Sequence, residues 1–199
     1  MRKRLFVFVP IFLISLLIIT TITPVISMSE NISEKVFRLH ILANSDEEYD
    51  QDLKLKIRDK ILLVSQDLYS NCSNVDDAIE VAKCNIDLFR NEAQKVIAFY
   101  GYEYQAKVYV TKEYFNTREY DDFVLPAGMY DSLKITIGEG EGHNWWCVMF
   151  PTVCISGCTD DFDETLSEEE IKLIKSNKFI PKFKIVEIYE KIKSKIYSD

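Results

Sequence analysis

Residues 138–154 concentrate the side chains that could take part in chemistry. They read Gly-Glu-Gly-Glu-Gly-His-Asn-Trp-Trp-Cys-Val-Met-Phe-Pro-Thr-Val-Cys. Glycines at alternate positions after a strand can present backbone N–H groups to an anion, but the interleaved Glu139 and Glu141 would oppose a phosphate. The spacing matches neither a P-loop nor a dinucleotide-binding fingerprint. The three glycines, Gly138, Gly140 and Gly142, therefore predict a tightly turned or flexible loop.

A thiol nucleophile is the catalytic arrangement that this segment would allow. Cys147 follows His143 by four residues, and a cysteine nucleophile needs only a nearby base. Cys154 is a competing partner, because a disulfide closing the loop around Pro151 would contribute about 2–3 kcal/mol. The standard hydrolase, redox and zinc motifs are missing from the sequence. We therefore expect no enzyme activity, metal or cofactor; the alternative is a cell-envelope wall hydrolase or thiol oxidoreductase that uses Cys147 with His143.

The adjacent tryptophans are candidates for binding. Trp145 and Trp146 must point to opposite faces of a strand, so at least one is a candidate for exposure. Exposed tryptophan is common at binding hot spots. The alternative is that both side chains fill core pockets.

Charge and the N-terminal pattern predict an exported, acidic protein. The 199 residues carry 24 Lys and Arg against 32 Asp and Glu, a net charge of −8. Three basic residues precede a long apolar run, which predicts that residues 1–27 are a signal peptide or an N-terminal membrane anchor. Residues 28–199 then form one exported domain with 21 basic and 32 acidic residues. A net charge of −11 repels phosphate backbones, so we expect no nucleic-acid partner.

Hydrophobic periodicity predicts the elements that must position these side chains. In chain order they are a strand at 36–43, helices at 50–68 and 75–100, and strands at 102–111, 114–119 and 132–137. The strand at 114–119 is the weakest and is expected to form a hairpin with the one before it. The fold class is α+β: an antiparallel or mixed sheet of about four to five strands with a helical hairpin packed on one face.

The C-terminal part changes in composition. Residues 160–170 form an acidic connector with seven carboxylates, whereas residues 171–199 hold eight lysines and three acids. Ser167 and Glu170 form a capping box. A last amphipathic helix is expected at 182–197, with its apolar side formed by Ile185, Ile188, Tyr189, Ile192 and Ile196. We expect this helix to dock on the domain; the alternative is contact with an anionic membrane surface.

The five cysteines are an odd number, so at least one thiol is free or pairs between molecules. Cys72 and Cys84 are not expected to pair, since a helix beginning near Val75 would hold them too far apart.

Several blocks of the chain together resemble the stage II sporulation protein R family. The first is Phe37-Arg-Leu-His-Ile-Leu-Ala-Asn-Ser-Asp46, which is followed by Leu53-Lys-Leu-Lys-Ile-Arg-Asp59. Later blocks are residues 122–130, residues 137–151 with the specific Trp-Trp-Cys run, and residues 183–187. By the resemblance, Cys147 and Cys154 match the family's cysteine pair, while Cys72, Cys84 and Cys158 have no place in its pattern. Thr152 departs from the second proline that is frequent in the family.

The resemblance implies an intercellular signal of endospore formation. The family's protein is made in the forespore and exported to the space between forespore and mother cell. There it activates a membrane-bound aspartic protease of the stage II sporulation protein GA type, which removes the pro-sequence of sigma factor E.

The candidate activating surface combines polar groups on one strand face with aromatic anchors in a special loop. Its residues are Arg38, His40, Asn44, Trp145 and Trp146, with the three glycines shaping the loop. The alternative is that Arg38 and Asn44 only tie the sheet to the loop.

Overall fold

The chain folds into helices and strands in the order expected for an α+β protein. A computed structural model describes residues 2–120, 122–151, 162, 165–175 and 180–196. Its helices are α1 (Arg2–Lys35), α2 (Glu48–Tyr69), α3 (Val75–Cys84), α4 (Ile86–Phe99), α5 (Glu168–Lys175) and α6 (Ile180–Ile196). Its strands are β1 (Phe37–Leu42), β2 (Ala106–Phe115), β3 (Arg118–Glu119), β4 (Val124–Leu125), β5 (Gly128–Ile137) and β6 (Asn144–Phe150).

The main sheet is mixed and has four strands in the order β2-β5-β1-β6. Strand β1 runs parallel to β5 and antiparallel to β6, while β2 and β5 are antiparallel. The predicted hairpin between 102–111 and 114–119 is wrong. Strand β2 instead continues to Phe115 and pairs with β5 along all ten of its residues, and β3 pairs with β4 in a separate two-stranded sheet.

Helices α2, α3 and α4 cover one face of the main sheet, as the apolar periodicity predicted. Leu53, Ile57 and Ile61 of α2 are buried in the same cluster as Leu39 and other β1 side chains. The predicted single helix at 75–100 is two helices. Between them the side-chain amide of Asn85 donates to the carbonyl oxygen of Val81 at 2.8 Å, so it competes with the backbone ladder.

A second apolar cluster covers the opposite face of the sheet, which the sequence patterning did not predict. It is built from segments far apart in the chain: Val25, Ile32, Val36, Phe115, Phe123, Val124, Leu125, Tyr130, Val148, Phe162, Leu166, Leu173, Ile174, Phe183 and Val186. Strand β1 is consequently buried on both faces, including the face that carries Arg38 and His40.

Helix α1 passes through the predicted boundary at residue 27 without a break. Its C-terminal part packs into the second cluster through Val25 and Ile32, whereas large apolar side chains nearer its start, such as Phe12 and Ile19, are exposed. Among the described residues, none of the helices meets the length and hydropathy required to cross a membrane. Cleavage or anchoring of residues 1–27 stays a prediction.

The C-terminal helix docks through a different face from the one expected. Phe183 and Val186 of α6 are buried in the second cluster, and the predicted Ser167–Glu170 capping box forms ahead of α5. The apolar stripe that includes Ile188 and Ile192 faces outward instead.

Candidate partner-binding site

The glycine loop at 138–142 is folded tightly against the turn that follows β1. Gly138 and Gly140 have φ of +57° and +70°, the left-handed region that favours glycine. A Cβ on Gly142 would lie 2.1 Å from the carbonyl oxygen of Ser45, so the loop and the turn touch through their backbones. The loop is therefore tightly turned, as one of the two sequence interpretations expected.

The loop does not offer its N–H groups to an anion. From Gly138 to His143, each backbone N–H donates to an acceptor in the protein. The acceptors include the side chain of Asn44 for Glu139 and the carbonyl oxygens of Asn44 and Ala43 for Glu141 and Gly142. These hydrogen bonds fix the start of β6, because the loop leads directly into that strand.

Asn44 connects this loop to helix α2. Its side-chain Nδ2 donates to Asp50 Oδ2 at 2.8 Å, and Ser45 Oγ donates to the same oxygen at 2.7 Å. Asp50 is almost fully buried in the first turn of α2. Asn44 is thus a structural tie between the turn, the loop and the helix.

The structure separates the two residues of the proposed thiol enzyme. Cys147 is buried in the core beneath the helical layer, opposite Leu39 of β1. The ring of His143 is exposed, and its hydrogen-bond partner is Asp46 rather than Cys147. Cys154 and Cys158 lie outside the described residues, so the predicted pairing of Cys147 with Cys154 stays a prediction. Cys72 and Cys84 are free thiols, so they do not pair with each other, as expected.

The two tryptophans of β6 lie on opposite faces of the strand, as predicted. Trp145 packs against the cluster beneath the helical layer and Trp146 against the second cluster. Each is partly exposed and carries an arginine over its ring. The guanidinium carbon of Arg58 lies 4.4 Å from the centroid of Trp145, and that of Arg118 lies 4.4 Å from the centroid of Trp146.

Arg38 lies beneath the surface rather than on it. Its side chain is fully buried, with the guanidinium carbon 4.2 Å from the Phe115 centroid and 5.0 Å from the Tyr130 centroid. Nη2 donates to the hydroxyl of Tyr120 at 2.6 Å. Nε and Nη1 have no hydrogen-bond partner within the part of the chain that the structure describes. Among the described residues, aromatic rings and the hydroxyl of Tyr120, rather than a carboxylate, therefore hold this cation.

His40 is also buried, and it belongs to a polar network beneath Trp146. Nδ1 lies 2.9 Å from Glu113 Oε1, Nε2 lies 2.6 Å from Asn144 Oδ1, and the ring meets that of Trp146 edge-on at 5.1 Å. Glu113 also accepts from Ser132 Oγ at 2.7 Å and from Lys134 Nζ at 2.8 Å.

The protonation of Glu113 follows from these contacts. Burial acts to raise the pKa of the Glu113 carboxyl, but the hydrogen bonds from His40, Lys134 and Ser132 outweigh it and lower the pKa to about 2. The carboxylate therefore stays charged and holds the imidazole of His40 beside Trp146, its cross-strand neighbour on β6.

The arrangement can present a rigid aromatic surface to a protein partner. Tryptophan and arginine are the residue types most enriched at interface hot spots. Arg58, Glu113 and Arg118 were missed by the sequence analysis, because nothing local marks a residue on another element that packs against a tryptophan. No group of three or more metal-binding side chains occurs among the described residues.

Comparison with known proteins agrees with the blocks noted between residues 37 and 151. The family model for stage II sporulation protein R matches residues 33–160. The chain is 33% identical over 141 residues to "Stage II sporulation protein R" of Bacillus subtilis (strain 168), covering 71% of this chain and 62% of that protein. The match thus spans less than two thirds of the relative's length. No solved structure matches the chain. The glycine loop, both tryptophans and the residues beneath them all lie inside the matched range, and the chain belongs to the stage II sporulation protein R family.

Proposed function

We propose that this chain is an exported signal of endospore formation that activates a membrane-bound protease without being an enzyme itself. It is made in the forespore and acts in the space between forespore and mother cell. Its partner there is an aspartic protease of the stage II sporulation protein GA type, which processes pro-sigma-E. The observation that carries the proposal is the family match over residues 33–160, which contains the whole candidate site.

The candidate site supports a role in binding. Trp145 and Trp146 are held in place by a strand whose start is fixed by the glycine loop. Because this scaffold is already ordered, a partner would bind a preformed surface and lose little conformational entropy in doing so. Arg38 and His40 act as positioning residues on the Trp146 face of the sheet, while Trp145, Trp146 and the arginines that lie over their rings make the contacts.

The test is reconstitution in a host that does not sporulate. The full chain would be co-expressed with the cognate membrane protease and pro-sigma-E, and a blot would measure the shortened sigma factor. We expect processing only when the chain is present and exported. A matched control lacks residues 1–24, so it stays inside the cell but keeps Val25, which packs in the second cluster.

Two results would contradict the proposal. One is the absence of processing although the chain is shown to be folded and outside the membrane. The other is equal processing by the control that stays inside the cell.

A further inference from the structure

Helix α6 is amphipathic in a way that leaves its larger apolar face in solvent. Its inward side is formed by Phe183, Val186 and Glu190, which are all buried. Its outward side consists of five large apolar residues: Ile185 (42% exposed), Ile188 (62%), Tyr189 (40%), Ile192 (56%) and Ile196 (67%). Their spacing places them on one face of the helix. We call these five residues the outward stripe.

A row of lysines borders the outward stripe on one side. Lys184, Lys191 and Lys195 are exposed, and spacings of seven and four residues align them along the helix. Lys193 lies on the other border, where it forms an ion pair with Glu30 of α1. The outward stripe therefore lies between a cationic row and the flank of α1.

The neighbouring helix α1 also exposes a large apolar surface. Ile11, Phe12, Leu13, Leu16 and Ile19 are each at least 47% exposed. Its next turns, from Val25 onward, pack with α6 against the second cluster. Two exposed apolar surfaces are thus carried by helices that contact each other.

Charge identifies the occupant of the outward stripe. The chain as a whole has a net charge of −8, so an anionic surface repels most of the protein but attracts the lysine row. Isoleucine and tyrosine flanked by lysine is the composition of helices that lie in the interface of anionic bilayers. We propose that the outward stripe of α6 inserts into the headgroup region of an anionic membrane, with Lys184, Lys191 and Lys195 contacting lipid phosphates.

The proposal gives the domain a fixed orientation on the membrane. The inward face of α6 stays docked through Phe183 and Val186, so binding needs no unfolding of the helix from the domain. This inference does not depend on the protease, since it concerns lipid alone.

The test uses the full chain reconstituted into vesicles, so that α1 is present in every sample. One set of vesicles is phosphatidylcholine; the other contains equal parts of phosphatidylcholine and phosphatidylglycerol. Lysines are acetylated and quantified by mass spectrometry. We expect Lys184, Lys191 and Lys195 to react several-fold more slowly in the anionic vesicles, while the exposed Lys172 of α5 is unchanged. Each lysine near an anionic surface contributes about fivefold to binding.

Variants test whether the slower acetylation of the lysines depends on α6 itself or only on the presence of α1 in the vesicle. Ile188→Glu combined with Ile192→Glu should abolish the protection, whereas Leu63→Glu, at an equally exposed position on α2, should preserve it. Thermal melting checks that both variants fold, which is expected because all three residues lie at the surface.

Two outcomes would overturn the proposal. Equal acetylation in both kinds of vesicle would show that the lysine row does not meet lipid. Protection that appears without anionic lipid and increases with protein concentration would assign the outward stripe to a second copy of the chain.

Discussion

Asn44 Oδ1 accepts a hydrogen bond from the backbone N–H of Glu139 at 3.1 Å, although the two residues lie 95 positions apart in the sequence. Through Nδ2 the same amide reaches Asp50 of α2. One side chain thus connects the central strand, the helical layer and the loop that leads to the tryptophans.

Gly138→Ala should destabilise the protein more than Gly101→Ala. Both glycines have positive φ, +57° and +80°, so alanine strains the backbone at each by about 1–2 kcal/mol. A Cβ on Gly138 would also lie 2.2 Å from Asn44 Oδ1, whereas a Cβ on Gly101 meets nothing within 4 Å. We expect a further loss of about 1–2 kcal/mol at Gly138, since the hydrogen bond from Glu139 must break. Chemical denaturation measures both variants, and equal losses would contradict the role given to Asn44.

Glu113→Gln should make the stability of the protein less sensitive to acid. The pKa of Glu113 is lowered to about 2 from an ordinary value of 4.5. The carboxylate therefore stabilises the folded state above pH 4.5, and this contribution is lost as the pH falls toward 2. Linkage sets the contribution at about 3 kcal/mol.

The measurement is the free energy of unfolding of both proteins from neutral pH down to the acid limit of folding. The variant should be less stable than the natural chain at neutral pH, and the difference should narrow in acid. Glu119→Gln, at an exposed position on β3, serves as the control. If the free energies of unfolding of the two proteins differ by the same amount at every pH, the network around His40 does not stabilise the charged form of Glu113.

Cys147→Ser and Cys154→Ser should reduce stability equally, and the double variant should lose little more. A disulfide is lost completely when either partner is replaced, and removing one that closes so short a loop lowers stability by about 2–3 kcal/mol. The thiols of Cys72 and Cys84 are free, so alkylation of the unreduced chain followed by mass spectrometry provides an independent check. The envelope-enzyme alternative is favoured if the two single variants lose different amounts of stability and only the replacement of Cys147 abolishes the protein's activity.

The sequence predicted local elements well because their signals are local. The helix predicted at 50–68 corresponds to α2, and the helix predicted from residue 75 begins where α3 begins. The burial of Arg38 and His40 could not be predicted in this way. The layer that covers them is assembled from α1, β4, α5 and α6, which lie up to about 150 residues away in the sequence. The alternation of polar and apolar residues shows that a strand has two faces, but it does not show what packs on each face.

The docking face of the C-terminal helix and the arginines of the candidate site could not be predicted for the same reason: both depend on contacts between distant parts of the chain. Periodicity identified the apolar stripe through Ile188 and Ile192 but could not show that Phe183 and Val186 would dock instead. Likewise the tryptophans were found from their adjacency, whereas Arg118 was not, because its contact with Trp146 depends on where β3 lies in the fold.

Trp146→Ala should reduce processing of pro-sigma-E well beyond its effect on thermal stability. The indole contacts the rings of Phe115 and His40 at 5.2 and 5.1 Å between centroids, so alanine also removes packing, about 3 kcal/mol by analogy with other core truncations. Trp146→Phe separates the two effects, since a smaller aromatic ring keeps most of the packing but loses the surface that a partner would cover.

Tyr109→Ala is the matched control for both tryptophan variants. Tyr109 is an exposed aromatic residue on β2, the opposite edge strand of the main sheet. If Trp146 is an anchor, Trp146→Phe lowers processing by about tenfold or more with nearly unchanged melting temperature, and Tyr109→Ala leaves processing intact. Unchanged processing by Trp146→Phe and Trp146→Ala in a quantitative blot would remove the tryptophan from the interface. The partner would then have to bind a surface other than the Trp146 face of β6.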